Sequence, residues 1–184
     1  MADGTDPPDA VLWAKGDRDA FGLLFERHVE AVWNHAYRLT ASWDQAHDVT
    51  SATFLTAWRT RHDITLLRDS ALPLLYTMAA NIARTAHRGS SRRTRLLRRI
   101  PDPSPVDDHA DAVVHRVDTE ARLRRVVDAV RLLPPAQREV AELCLLGDLP
   151  IADAARHLGL AEVSVRSHLS RARARLRTLT EDTQ

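Results

Sequence analysis

From Asp19 onward the apolar side chains fall into helical spacing. Phe21, Leu24, Phe25, His28, Val32, Ala36 and Leu39 recur at steps of three and four, which places them on one stripe of a long amphipathic helix. A short break follows at Ser42 and Trp43. Between Asp44 and Arg61, Ala46, Val49, Thr53 and Ala57 share one side, with Phe54 and Trp58 at the edge of that arc. Asp48, Ser51, Ala52, Leu55 and Arg59 fall on the other side, where Leu55 is either an isolated exposed leucine or a docking contact. Residues 61–70 show no clear period. Pro73 then suits the first turn of a third helix running to about His87, with Leu74, Leu75, Met78 and Ile82 apolar and Tyr76, Asn81, Arg84 and Arg88 polar.

Past Gly89 arginines crowd together, and from Ile100 to Asp118 three prolines and repeated aspartates mark an interdomain linker. Beyond it Ala121 to Leu133 and Ala136 to Leu146 read as helices parted by Pro134 and Pro135, followed by Ile151 to Leu158 and Val163 to Leu179. No alternating β-branched run predicts a strand. The pattern is that of an all-α chain of two small helical domains on a flexible linker. It comprises a disordered lead-in over 1–10, a helical domain over 11–99, the acidic linker over 100–118 and a second domain over 119–180.

The length of 184 residues with 44% hydrophobic content is enough for two small cores. Acids and bases nearly cancel to a net charge of +1, so the arrangement of charge carries more information than its sum. From Arg84 to Arg99, and again from Val163 to Leu179, every charged side chain is arginine. Two separate basic blocks point to two contacts with one polyanion. Lys15 is the only lysine. Planar guanidinium suits phosphate and guanine edges, although a coding sequence rich in G and C would give the same bias. The single cysteine, Cys144, sits in an apolar run and reads as a small core hydrophobe. None of the nine histidines has ligand-like company; His28 and His35, two turns apart on one helix, read as packing or surface, so no metal and no cofactor is expected. No apolar stretch approaches a membrane span and the acidic start is no secretory signal, which predicts a cytoplasmic protein.

The strongest local signal runs from Pro150 to Arg177: a short helix, a turn at Gly159 and Leu160, and a longer basic helix, together a helix-turn-helix. In the second helix Val165, Leu169, Ala172 and Leu176 should face inward. Arg166, Ser167, His168, Ser170, Arg171, Arg173 and Arg175 then point outward or sideways, as a helix entering a major groove requires. Arginine can grip guanine bidentately, serine and histidine can take single bonds, and the other arginines can neutralise phosphates. Ala161 and Pro150 are poor caps for these helices.

Three stretches in order resemble one family. Asp19 to Arg59 (DAFGLLFERHVEAVWNHAYRLTASWDQAHDVTSATFLTAWR) is similar to the start of region 2 of extracytoplasmic-function (ECF) sigma factors of the sigma-70 family. Leu72 to Arg93 (LPLLYTMAANIARTAHRGSSRR) resembles the end of that region. Leu133 to Leu176 resembles region 4. The resemblance implies a non-catalytic subunit that binds core RNA polymerase through the β′ clamp helices and the β flap, recognises promoter DNA and melts it. It further implies an anti-sigma partner. The face of Asp48, Ser51, Ala52, Leu55 and Arg59 would dock on the clamp helices, with Ala52 standing where the family commonly has glutamate. The loop after residue 61 and the next helix would capture the minus-10 element as a single strand. There His62 or Tyr76 could stack on a base, Asn81 could bond one, and Arg84, His87, Arg88, Arg92 and Arg93 could hold phosphates. For Tyr76 a half-buried core position is the competing reading, and for the arginines a solvated charged tail.

Linker length agrees with this picture. Boxes about 17 base pairs apart lie near 60 Å along B-form DNA, and about 20 extended residues reach roughly 65 to 70 Å. Two other classes fare less well. A response regulator would need alternating strands and helices with an acidic phosphorylation pocket. An enzyme would need a phosphate-cradling glycine loop or a nucleophile with a plausible base.

Overall fold

Local chemistry decides where the first long helices begin and end. Asp17 accepts a hydrogen bond from the Ala20 amide at 2.8 Å and Ser42 one from the Gln45 amide at 3.4 Å, so each satisfies an otherwise orphaned helix donor. Gly16 and Ala41 stop the preceding helices in the left-handed region, at φ of 60° and 50°. The structure, a computed structural model, describes residues 6–66, 69–97 and 112–181. Among the described residues there are eight α-helices and no strand: α1 (Asp9–Lys15), α2 (Arg18–Thr40), α3 (Trp43–Thr60), α4 (Leu72–Leu97), α5 (Ala112–Arg131), α6 (Pro135–Ala141), α7 (Ile151–Leu158) and α8 (Glu162–Glu181). α6 runs on as a π-helical turn over Glu142–Leu146. None of these helices is long and apolar enough to cross a membrane.

Helices α2, α3 and α4 pack side by side as the first unit, with α1 laid across α2. Leu24, Val32, Ala36 and Leu39 from the predicted stripe are buried, but Phe25 is 42% exposed and reaches its neighbour Phe54 edge-on at 4.8 Å. Phe21 meets Trp58 edge-on at 5.1 Å, and the Arg61 guanidinium lies 3.4 Å from the centre of the Trp58 ring. In the second unit, α7 and α8 meet across the turn at Gly159 (φ 66°), over the buried side chains of Ala154, Ala155, Val165 and Leu169. As expected for Pro150, no side chain caps α7.

The helices depart from the sequence reading at three ends. α1 begins at Asp9, inside the stretch expected as a disordered lead-in; the rest of that stretch, up to Thr5, lies outside the described residues. α4 continues past Gly89 to Leu97, since a single interior glycine costs about 1 kcal/mol and the surrounding arginines favour helix. α5 begins at Ala112, within the expected linker. No proline follows Pro105 in that stretch to interrupt a helix. Residues 98–111, which include the rest of that linker, lie outside the described residues.

The Asp9 side chain ties the chain start to the first unit. Only 2% exposed, it accepts from the Ala71 amide at 2.7 Å, lies 2.6 Å from His28 Nε2 and pairs with Arg27. Burial pushes its carboxyl up, yet His28, the Ala71 amide and Arg27 outweigh burial and hold it below the ordinary value of 3.8. A lowered folded pKa means that this contribution is present above about pH 4 and is lost as the pH falls through the lower value. Asp9→Ala should therefore destabilise the fold by about 3 kcal/mol at pH 7, because it strands the buried Ala71 amide and His28 and removes one partner of Arg27. Chemical denaturation checks this; a change below about 0.5 kcal/mol would show that the cluster does not hold the chain start.

Candidate nucleic-acid interface

Helix α8 presents the expected basic face. Val165, Leu169 and Ala172 are buried and Leu176 is half-buried, so the inward stripe lies where its spacing puts it. Arg166, Ser170, Arg171, Arg173 and Arg175 are exposed, and Ser167 and His168 are half-buried beside them. Arg166 is not free of partners: it pairs with Glu162, one turn earlier, at 2.7 Å. Both side chains are solvated, so the pair is weak and a phosphate or guanine can displace it. Glu162 also places a carboxylate at the helix N-terminus, which makes that end less welcoming to phosphate than the arginine count implies.

The outward face of α3 is open as well. Asp48, Ser51, Leu55 and Arg59 are exposed, Ala52 is half-buried, and Leu55 at 48% exposed is an uncovered apolar side chain among polar neighbours. Two α2 residues, Leu23 and Phe25, are exposed apolar side chains too.

The α4 residues are divided between surface and interior. His62, in the loop before α4, is exposed beside Gly16, as are Asn81 and Arg88, while His87 is half-buried. Arg92 and Arg93 fall within α4, but their side chains lie outside the described residues. Tyr76 takes the core position: it is 6% exposed, stacked at 4.1 Å on the ring of His35. Its edge meets Gly147 so closely that a Cβ there would come within 2.7 Å of it. Arg84 donates to Glu142 Oε2 at 2.7 Å and to the Asn81 side-chain carbonyl.

These α4 contacts belong to a seam between the two units. Arg38 of α2 donates to the Leu146 carbonyl at 3.1 Å and pairs with Asp148. Thr77 lies 2.7 Å from His157 Nε2; its hydroxyl hydrogen goes to the Pro73 carbonyl, which leaves the imidazole as donor. Leu75 and Tyr76 share a buried cluster with Leu143 and Leu149, and Ala79, Ala80 and Ala83 share another with Leu146 and Val130. Sequence spacing pointed to none of His35, Arg38, Glu142, Gly147, Asp148 or His157 as seam residues. A glutamate inside the apolar run Glu142–Leu146 was the one available signal, since a buried acid needs a partner.

Cys144 is half-buried, and burial pushes its thiol up against a smaller pull from Arg173. Among the described residues no three His, Cys, Asp or Glu side chains are grouped to hold a metal ion.

Comparison with known proteins matches both units. Residues 24–93 match the family described as Sigma-70 region 2, and residues 123–176 the family described as Sigma-70, region 4. The chain is similar to the ECF RNA polymerase sigma factor SigK of Mycobacterium ulcerans, with 28% identity over 160 residues that cover 85% of this chain and 83% of that protein. It is also similar to the ECF RNA polymerase sigma factor BldN of Streptomyces coelicolor, with 30% identity covering 91% of this chain and 62% of that protein. Its fold is similar to that of CnrH in complex with the cytosolic domain of CnrY (TM-score 0.62, 24% identity, 96% of this chain and 99% of that one). The sigma factor RpoE in complex with the anti-sigma factor NepR from Bartonella quintana is similar too (TM-score 0.56, 23% identity, 88% and 96% covered).

Two buried seam groups answer pH in opposite directions. Burial drives the His35 pKa down to about 4, against a smaller upward pull from the backbone of Leu146 and Tyr76. Because that folded value is depressed, its contribution is complete above pH 6.5 and is lost as the pH falls towards 4. Burial drives Glu142 up to about 7, with Arg84 and Arg138 pulling the other way. That contribution is complete below the ordinary glutamate value and is lost as the pH rises through 7. Between pH 5 and 6.5 the two slopes therefore oppose one another. Glu142→Gln should uncover a loss of about 1.4 kcal/mol per unit of acidification, and His35→Gln a gain of similar size. Denaturation at several pH values reads the slopes; unchanged slopes in both variants would contradict the assignment.

Proposed function

The chain belongs to the ECF group of the sigma-70 family, and from that membership we propose that it binds core RNA polymerase, directs it to promoters and helps melt the DNA for transcription initiation. The observation that carries this reading is the presence of both family regions, in order, in one chain. Sigma factors are binding subunits, and the chemistry of the exposed faces suits binding. Region 2 function runs over residues 11–99 and region 4 function over 119–180, joined by the acidic segment 100–118. The face of Asp48, Ser51, Ala52, Leu55 and Arg59 docks on the β′ clamp helices, and the second unit engages the β flap. Arg166, Ser167, His168, Ser170, Arg171, Arg173 and Arg175 read the upstream box as duplex. His62, Asn81, Arg84, His87, Arg88, Arg92 and Arg93 hold the minus-10 element as a single strand, while Tyr76, buried against His35, anchors α4 to the core.

Polymerase works in the cytoplasm, and the protein acts there. Its third partner is an anti-sigma factor, as the RpoE–NepR complex illustrates for a protein of the same fold. Such a partner regulates the chain by masking its polymerase and DNA faces.

Two experiments test the assigned faces. Leu55→Asp with Arg59→Glu should weaken binding to core polymerase by roughly tenfold or more while leaving stability within about 0.5 kcal/mol, since both side chains are exposed. A titration with unchanged affinity would remove α3 from the interface. On α8, Arg171→Ala should change which upstream box is preferred, costing about 1 to 3 kcal/mol at one base position. Arg177→Ala should weaken all promoters alike and reduce the salt slope by about one unit. In vitro transcription by reconstituted holoenzyme on a library of upstream boxes, at two salt concentrations, separates them. Identical preference profiles for wild type, Arg166→Ala and Arg171→Ala would mean that α8 is not the reader.

A further inference from the structure

Between the end of α3 and the start of α4 lies a segment of which residues 61–66 and 69–71 are described, and α1 holds these residues from one side. Arg61 Nε donates to the Gly16 carbonyl at 2.6 Å, and the Trp13 indole N–H donates to the Ile64 carbonyl at 2.7 Å. At the other end the Asp9 amide donates to the Asp69 carbonyl at 3.1 Å, and the Asp9 carboxylate accepts from the Ala71 amide at 2.7 Å. Apart from the Arg61 bond, these contacts reach the backbone of the segment, while the side chains of His62, Asp63, Thr65, Asp69 and Ser70 stay exposed. Helix α1 is itself fixed to α2: Asp9 meets Arg27 and His28, and Trp13, only 4% exposed, packs beside Phe21.

We propose that α1 is a splint for the single-strand reader: Asp9, Trp13 and Gly16 are positioning residues that fix the backbone path of this segment and so set the base preference of the chain for the minus-10 strand. This role depends on the reading of the segment and α4 as the part that captures that strand. A segment held by its backbone leaves its side chains free to meet bases. One already ordered loses no binding energy to ordering when the strand arrives. Base discrimination needs donors and acceptors placed within a few tenths of an ångström, whereas the attraction of phosphates to the α4 arginines tolerates such shifts. Displacing the segment should therefore flatten the preference and leave the overall attraction in place. Gly16 shows how little room there is, for its φ is 60° and a Cβ there would lie 3.2 Å from the His62 ring.

Reconstituted holoenzyme can be made to select from a pool of random single-stranded DNA 12-mers, and sequencing of the bound fraction reads the base preference. Trp13→Phe keeps an aromatic ring beside Phe21 and removes the donor to Ile64. Gly16→Ala presses a methyl group on His62. Each should lower the enrichment of the preferred sequence by about fivefold or more. Affinity for core polymerase, total binding of the pool and the upstream-box preference in transcription should stay within about twofold of wild type. Loss of folded protein would lower every reading together, and Gly16→Ala, at a helix end, keeps the test open should Trp13→Phe disturb the core. His62→Ala, Asp63→Ala and Thr65→Ala combined test the reader itself. If that triple variant flattens the profile while Trp13→Phe and Gly16→Ala keep it, the splint is overturned and the segment remains the reader. A wild type that enriches no sequence, or a triple variant with the wild-type profile, overturns both. A profile that flattens only in step with core affinity and upstream preference shows a structural role alone and overturns the proposal.

Discussion

The ring of Tyr76 lies flat on His35 and hard against Gly147, and the way the two helical units meet depends on that stack. Tyr76 comes from α4, His35 from α2 and Gly147 from the turn that follows α6. One contact therefore joins the first unit to the second and fixes how near the turn can come. The alanines of α4 extend the same logic, for Ala79, Ala80 and Ala83 are small enough to let Leu146 and Val130 pack close. Polar groups then close around the apolar contact: Arg38 on the Leu146 carbonyl, Arg84 on Glu142 and His157 on Thr77.

Stability and availability conflict at this seam. A neutral His35, buried with no well-placed hydrogen-bond partner on either nitrogen, and a buried Glu142 are both unfavourable elements of an interior. Their pH responses oppose one another. On the surfaces that stay open, Arg166 of α8 pairs with Glu162 and, among the described residues, the other α8 arginines form no ion pair. Leu55 stands exposed on α3. Leu55 and the arginines of α8 thus stand in solvent while the Tyr76 ring is covered.

Much of this could be read from residue spacing, because helical periodicity is local. The inward stripe of α8, the turn at Gly159 and the apolar side of α3 follow from steps of three and four. The Asp9 cluster could not be read that way: Pro7, Pro8 and Asp9 look like a polar lead-in, and the amide that Asp9 accepts from lies 62 residues away. The seam was hidden for the same reason, since Arg84 and Glu142 are 58 residues apart and Arg38 and Asp148 are 110 apart. Tyr76 shows the limit most clearly. Its helical position suits both a core tyrosine and a base platform, and the partner that buries it belongs to another part of the chain. Family resemblance supplied the roles of the faces; spacing alone supplied their orientation.

As a sigma factor, this chain turns core RNA polymerase into a promoter-specific enzyme. The most direct measurement mixes purified chain with core polymerase and its native genomic DNA, and maps the 5′ ends of the transcripts. A small set of discrete start sites that are absent with core alone is expected, each preceded by two shared sequence boxes at constant spacing. Transcripts that start at the same scattered positions with and without the chain would contradict it.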